Sequence, residues 1–205
     1  MNRLVPDFNF HAWPEAGIDD YTETVSMIDK AGLLDYEINK VGWIGAFSHY
    51  KREILSSIGR QHTDIMDIID MTWTTVREET DKKKLSSSKF ISLPDLVKRY
   101  SILVDVEGAG YSGRVKYLLW SHRPLLLVER NTKEYFYEYL REWEHYIPVK
   151  EDLSDLVEKT IWCINNYTQA KNIAENAYEF SKQYLTREAC YAQWNKVFDN
   201  SNIDG

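Results

Sequence analysis

At 205 residues the chain is long enough to close one sizeable core and carry a small attachment. Its 43% hydrophobic and 28% charged residues describe an ordinary water-soluble globular domain, and apolar runs such as Pro124-Leu-Leu-Leu-Val128 are far too short to span a bilayer, which excludes a transmembrane helix. A formal net charge of −7 argues against a nucleic-acid partner, whose binding needs many neutralised phosphates, but allows a small anion held at one local basic point.

The N-terminus lacks the charged-then-apolar order of a secretory signal, so the expected location is cytoplasmic by default, with the sequon Asn166-Tyr-Thr168 relevant only in a secretory compartment. Cys163 and Cys190 have no Cys or His at metal-ligand spacing and read as buried free thiols.

From Val41 onward, apolar stretches of strand length alternate with amphipathic stretches of helix length, the pattern of an α/β fold with a parallel sheet flanked by helices. Val41–Ala46 reads as a strand, Tyr50–Gly59 as a helix and Thr63–Ile69 as the next strand. The run Val76–Lys89 is too hydrophilic for core and reads as a surface insertion or mobile loop, about residues 76–90. A helix Leu93–Arg99 and a β-branched strand Ile102–Val106 follow. Then come a turn Gly108–Gly113, a helix Arg114–Ser121, a strand Leu125–Glu129, a helix Lys133–Glu142 and a strand His145–Val149. Closing helices span Ser154–Asn165, with Ser154 as N-cap, and Thr168–Leu185.

Ligands of an open parallel sheet bind at the carboxyl ends of its strands. The turns to inspect are therefore Gly45–Arg52, Glu107–Arg114, Glu129–Lys133 and Val149–Asp155. In Glu107-Gly-Ala-Gly-Tyr-Ser-Gly-Arg114, three glycines let the backbone approach a ligand, while Ser112 and Arg114 add a hydroxyl and a charged fork suited to a diphosphate. The glycine spacing is not that of the dinucleotide fingerprint, and the Gly-Lys-Ser/Thr of a P-loop is missing. Taken alone, such a turn is as often a tight loop as a site.

Several segments resemble family 90 glycosyltransferases, which include protein O-glucosyltransferases, capsule xylosyltransferases and lipopolysaccharide-modifying proteins. Arg99-Tyr-Ser-Ile-Leu-Val-Asp-Val-Glu-Gly108 resembles the family's lysine-tyrosine strand, and Ser112-Gly-Arg-Val-Lys-Tyr-Leu-Leu119 its serine-x-arginine helix start. Trp143-Glu-His-Tyr-Ile-Pro-Val-Lys-Glu-Asp-Leu-Ser-Asp-Leu156 is similar to its tryptophan, histidine-tyrosine-x-proline and aspartate-leucine-serine signature. Ala170–Phe180 is similar to the closing helix, Pro6-Asp-Phe-Asn-Phe-His-Ala-Trp-Pro-Glu15 to the proline-aspartate segment, and Trp43-Ile-Gly-Ala46 with Arg52 to the tryptophan-arginine-glycine strand.

The resemblance implies a Rossmann-like, nucleotide-sugar-binding domain of a GT-B glycosyltransferase over 41–205, preceded by a remnant of the interdomain, acceptor-side segment over 1–40. It implies inverting transfer from a UDP-sugar, UDP-glucose or UDP-xylose, to a hydroxyl of a protein or glycan, with no cofactor or metal required. The implied donor-binding residues are Gly45, Ala46, Arg52, Glu107, Gly108, Gly110, Tyr111, Ser112, Gly113 and Arg114, with Arg114 neutralising the departing diphosphate and Trp13 and Glu15 on the acceptor side. Ile44 stands where the family has arginine, and Asn2 where it has the aspartate that acts as base. Asp7 is then the candidate base, the chain otherwise being a shortened or impaired form that binds a UDP-sugar without transferring it. His145, Asp152 and Asp155 read as structural, making end-of-strand and capping hydrogen bonds.

Overall fold

In the computed structural model of the chain, which describes residues 4–71, 74–77, 83–86, 90–108 and 110–201, the apolar runs line up as a five-stranded parallel sheet. The strands are β1 (Ile38–Gly45), β2 (Met66–Asp70), β3 (Thr74–Arg77), β4 (Lys83–Ser86), β5 (Tyr100–Asp105), β6 (Leu125–Val128) and β7 (Ile147–Val149). The sheet order is β2-β1-β5-β6-β7, and β3 pairs with β4 in a separate antiparallel ribbon. Helices α1 (Tyr21–Gly32), α2 (Tyr50–Gln61), α3 (Leu93–Arg99), α4 (Val115–Leu118), α5 (Leu156–Asn165), α6 (Tyr167–Tyr184) and α7 (Arg187–Ser201) cover both faces.

Strand β5 is buried along its whole length because its side chains enter two cores. Tyr100 and Leu103 pack on the side of α1, α3 and α4, whereas Ile102 and Val104 pack with Leu55 of α2 and Leu156 and Cys163 of α5. Helix α6 contributes Ala170 and Ile173 to the second core and Ala177 and Phe180 to the first. Among the described residues, no helix is long and apolar enough to cross a membrane.

The structure departs from the sequence reading in six elements. Residues before Val41 contain α1, whose Tyr21, Val25 and Ile28 are buried in the first core at helical spacing, and whose Asp20 N-cap accepts the Glu23 N–H at 2.9 Å. The hydrophilic stretch Val76–Lys89 carries, in its described parts, β-ribbon pairing with Val76 opposite Lys84; residues 78–82 and 87–89 lie outside the described set. The expected helix Lys133–Glu142 is only a 3₁₀ turn, Tyr135–Glu138, closed by the Tyr137 N–H on the Glu134 carbonyl and the Tyr139 N–H on the Phe136 carbonyl; beyond it the Arg141 N–H goes to His145 Nδ1 and Glu142 bridges to Tyr146, so these main-chain groups are committed outside a helix. The helix expected from Arg114 to Ser121 is regular only over Val115–Leu118, and α7 was not anticipated. Ser154 is not the N-cap of α5; Asp155 is, and its carboxylate instead accepts the Lys150 N–H at 2.9 Å, closing the β7–α5 turn.

Two charged clusters fasten the N-terminal region to the rest of the fold. His122 lies between Asp29 of α1 and Glu175 of α6, at 2.8 and 2.7 Å. Lys116, fully buried, reaches Asp7 at 2.9 Å and Glu134 at 2.8 Å. One ammonium thus serves two carboxylates, and burial pushes the Glu134 carboxyl up to about 7 despite the pull of Lys116. Because its native value exceeds the unfolded one, Glu134 favours the folded state below the ordinary carboxylate range, and that contribution is lost as pH rises through about 7. Glu134→Gln is expected to shrink the stability difference between pH 5 and pH 8 by about 2 kcal/mol, measured by urea unfolding. An unchanged pH slope would contradict this account of the cluster.

Candidate functional site

After β1 the chain moves to β2 on one side, and after β5 it moves to β6 on the other, so the loops leaving these neighbouring strands diverge. That switch point is where an open parallel sheet forms its ligand crevice. A cavity of about 460 Å3 lies there, within the size range of small-ligand sites. Gly45 at the end of β1, Ala46 after it and Arg52 in the first turn of α2 line it from one side, and Gly108, Gly110, Tyr111, Ser112, Gly113 and Arg114 of the β5–α4 turn from the other. The structure therefore gathers all of the sequence's donor-binding set except Glu107.

Glu107 points elsewhere. Its carboxylate takes Lys51 at 2.5 Å and the Thr132 hydroxyl at 3.2 Å, neutralising an ammonium that is almost fully buried. Its backbone oxygen accepts from Arg52 Nε at 3.2 Å, so the residue contributes to the site through the main chain.

The electrostatics are set by Asp105, wholly buried at the end of β5. Arg130 reaches its Oδ2 at 2.9 Å, Arg114 its Oδ1 at 3.3 Å, and the Ser112 hydroxyl donates to Oδ1 at 2.8 Å. Burial would push the carboxyl up, but Arg130, Arg114 and the Ser112 hydroxyl outweigh it and hold Asp105 below the usual carboxylate range. Arg114 also donates to the Ile44 carbonyl, and Arg52 Nη1 to the Ala46 carbonyl at 3.0 Å. Both guanidiniums lie over the Trp43 ring, Arg52 at 5.6 Å and Arg114 at 5.4 Å. Burial, followed by the charge of Arg114, lowers Arg52 to about 10, which still leaves it charged at neutral pH. Two guanidiniums thus pair with one carboxylate while Arg52 adds a third positive charge beside them, and the excess faces the cavity through Arg52 and Arg114.

The glycines divide by what surrounds them. A Cβ on Gly108 would come 2.9 Å from Arg52 Nη2, and one on Gly113 would come 2.6 Å from Asn9 Nδ2 and 3.2 Å from the Trp13 ring. Both glycines therefore permit close packing of parts of the site. Beside Gly110 there is nothing within 4 Å, so its space is open to a ligand. Helix α4 has four residues, too few for a substantial dipole, so side-chain charge supplies the positive potential of the site.

Trp13 lines the cavity, while Glu15 lies in the 3₁₀ turn Pro14–Ala16 with its side chain outside the described set, as is Asn2. Asp7 does not line the cavity. Its Oδ1 accepts from Lys116 and the Asn9 N–H at 2.9 and 3.0 Å, and its Oδ2 from the Tyr111 hydroxyl and Asn9 Nδ2 at 2.5 and 3.1 Å. Four donors occupy the carboxylate, leaving no lone pair directed at a substrate. His145 is structural, its Nδ1 accepting the Arg141 N–H at 3.0 Å.

Sequence reasoning overlooked Asp105, Arg130, Trp43 and Lys116. Arg130 lay within one of the four strand-end turns marked for inspection, and a lone Asp in an otherwise apolar strand was the available signal for a buried ion pair.

Comparisons with known proteins bear on the family and the fold. The model of Glycosyl transferase family 90 matches residues 2–201. Protein O-glucosyltransferase 2 of Danio rerio is 29% identical over 79% of this chain and 32% of its own length. Protein O-glucosyltransferase 3 of Rattus norvegicus is 34% identical over 57% of this chain and 23% of its own. The chain thus spans well under half the length of these relatives. Among solved structures, Anabaena Alr3699/HepE in complex with UDP and glucose superposes with a TM-score of 0.50 at 11% identity, over 85% of this chain and 44% of that one, a likeness of fold alone. With a family match over almost its whole length and the Rossmann-like parallel sheet expected of a GT-B donor domain, the chain belongs to glycosyl transferase family 90.

Proposed function

We propose that this chain supplies the donor-binding half of a UDP-sugar-dependent, inverting glycosyltransferase, with UDP-glucose or UDP-xylose as donor and a hydroxyl of a protein or glycan as acceptor. The observation that carries the reading is the surplus of guanidinium charge at the switch-point cavity, where Arg52 and Arg114 flank the open space beside Gly110. A sugar leaving UDP builds negative charge on the β-phosphate, and preorganised cations already desolvated by protein stabilise that charge strongly. In this reading the guanidiniums provide the counter-charge, and binding persists in EDTA. The names of the relatives, protein O-glucosyltransferases, favour glucose and a protein acceptor.

Inversion also requires a base on the acceptor side. Among the described residues lining the cavity there is no carboxylate and no imidazole, and Asp7 is occupied by four donors. The proton acceptor is therefore assigned to a residue beyond this lining. The same observation favours, as the second reading, a UDP-sugar-binding module without transfer. Donor hydrolysis measured on the sample that binds UDP separates the two, since turnover supports the enzyme and its absence the module.

By calorimetry without added metal, wild-type protein is expected to bind UDP, and Arg114→Ala to lose about 10- to 100-fold in affinity, the usual worth of one charge-assisted hydrogen bond set. Arg52→Ala is the companion variant, because it leaves Asp105 with both of its paired guanidiniums. A folded wild-type protein that ignores UDP would contradict the donor reading. Gly110→Ala is expected to melt as wild type, the added Cβ meeting nothing, yet to bind UDP about tenfold more weakly through occlusion of the loop. Unchanged affinity would place the ligand away from this turn.

A further inference from the structure

The turn that walls the cavity has little backbone support. Among the described residues, no main-chain hydrogen bond outside the regular elements involves positions 110–113, and two side-chain anchors take its place. Ser112 donates to Asp105 at 2.8 Å, and the Tyr111 hydroxyl donates to Asp7 at 2.5 Å. Tyr111 is 41% exposed and lines the cavity, so its ring has space to swing that the hydroxyl contact restricts.

Asp7 is itself held. It is the N-cap of a 3₁₀ turn, Phe8–Phe10, where its Oδ1 accepts the Asn9 N–H, and the buried Lys116 grips the same oxygen. Lys116 sits 4.9 Å from the Phe10 ring and 6.0 Å from the Tyr111 ring, on the helix that follows the cavity turn. The chain Lys116–Asp7–Tyr111 therefore runs from α4 through the N-terminal segment and back to the cavity wall, across 104 positions of sequence at its last link.

We propose that Asp7 is a positioning residue for the donor, oriented by Lys116 and holding the Tyr111 ring as a fixed wall of the cavity. The inference rests on the donor reading above and adds to it that the N-terminal segment sets donor affinity without touching the donor. Tyr111 is the contact residue; Asp7 and Lys116 act through it. Lys116 is a poor first target for substitution, since its loss would strand two carboxylates, one of them buried. Tyr111→Phe removes one partly exposed hydroxyl and preserves the ring, so the fold is kept.

The test is a double-mutant cycle on UDP affinity, by calorimetry, with wild type, Tyr111→Phe, Asp7→Asn and the double variant, each checked for an unchanged melting transition. Tyr111→Phe is expected to weaken UDP three- to tenfold, Asp7→Asn comparably, and the double variant no more than the weaker-binding single one, because both break the same link. A structural role alone would not couple the two in ligand affinity. Wild-type affinity in Tyr111→Phe, or effects that multiply in the double variant, would overturn the inference and leave the donor reading intact. Failure of wild-type protein to bind UDP would overturn both.

Discussion

A carboxylate with no access to water is tolerable only if its charge is met, and Asp105 at the end of the central strand β5 imposes that condition on everything around it. Arg130 comes from the turn after β6, Arg114 and Ser112 from the turn after β5 itself. Once two guanidiniums are fixed there, their remaining donors reach main-chain oxygens of neighbouring strands, Val128 for Arg130 and Ile44 for Arg114. Arg52 adds a second tie by joining the Ala46 and Glu107 carbonyls, one from each side of the switch point. The loops that shape the cavity are therefore cross-linked by the same cations that make it electropositive. Rigidity and charge have one origin, which is the arrangement that binding a diphosphate without reorganisation requires.

The N-terminal segment belongs to this arrangement. Phe10, Ile18, Tyr21, Val25 and Ile28 share a core with β5 and β6, and Asn9 and Trp13 press on Gly113, a position where any side chain would displace them. Tyr117 donates to the Asn9 carbonyl at 2.6 Å, so the segment is fastened to α4 at both Asp7 and Asn9. The residues that border the cavity on this side are in place because the hydrophobic core places them there.

How much of this was legible depended on the range of the interaction. Strand β5 and helix α3 could be read because their signals are local: a β-branched run for one, and for the other Ser92 and Pro94 ahead of Leu96 and Val97 with Lys98 and Arg99 at the end. The glycine turn was read as a site because strand, glycines and arginine are contiguous, and the family resemblance gave its ligand class. Glu107 shared that turn and was read with the donor-binding set, yet its side chain lies off the cavity, since the ion pair with Lys51 spans 56 positions and leaves no local mark. Asp7 was likewise assigned by its place in a motif, whereas its actual partners are 104 and 109 residues away. Helix α1 had a readable apolar spacing that was passed over, and the Tyr135–Glu138 turn does not run on as a helix because Arg141 and Glu142 bond to His145 and Tyr146, partners that helical propensity does not reveal.

The central claim, that Arg52 and Arg114 are the anion-contacting cations and Arg130 is structural, is tested most directly by recording the arginine side-chain N–H resonances of the folded protein during a titration with UDP. The account requires the Arg52 and Arg114 signals to move together and saturate with the ligand, while the Arg130 signal, bonded to Asp105 and Val128 outside the cavity lining, stays in place. Saturable UDP binding with the Arg52 and Arg114 signals unmoved would contradict it.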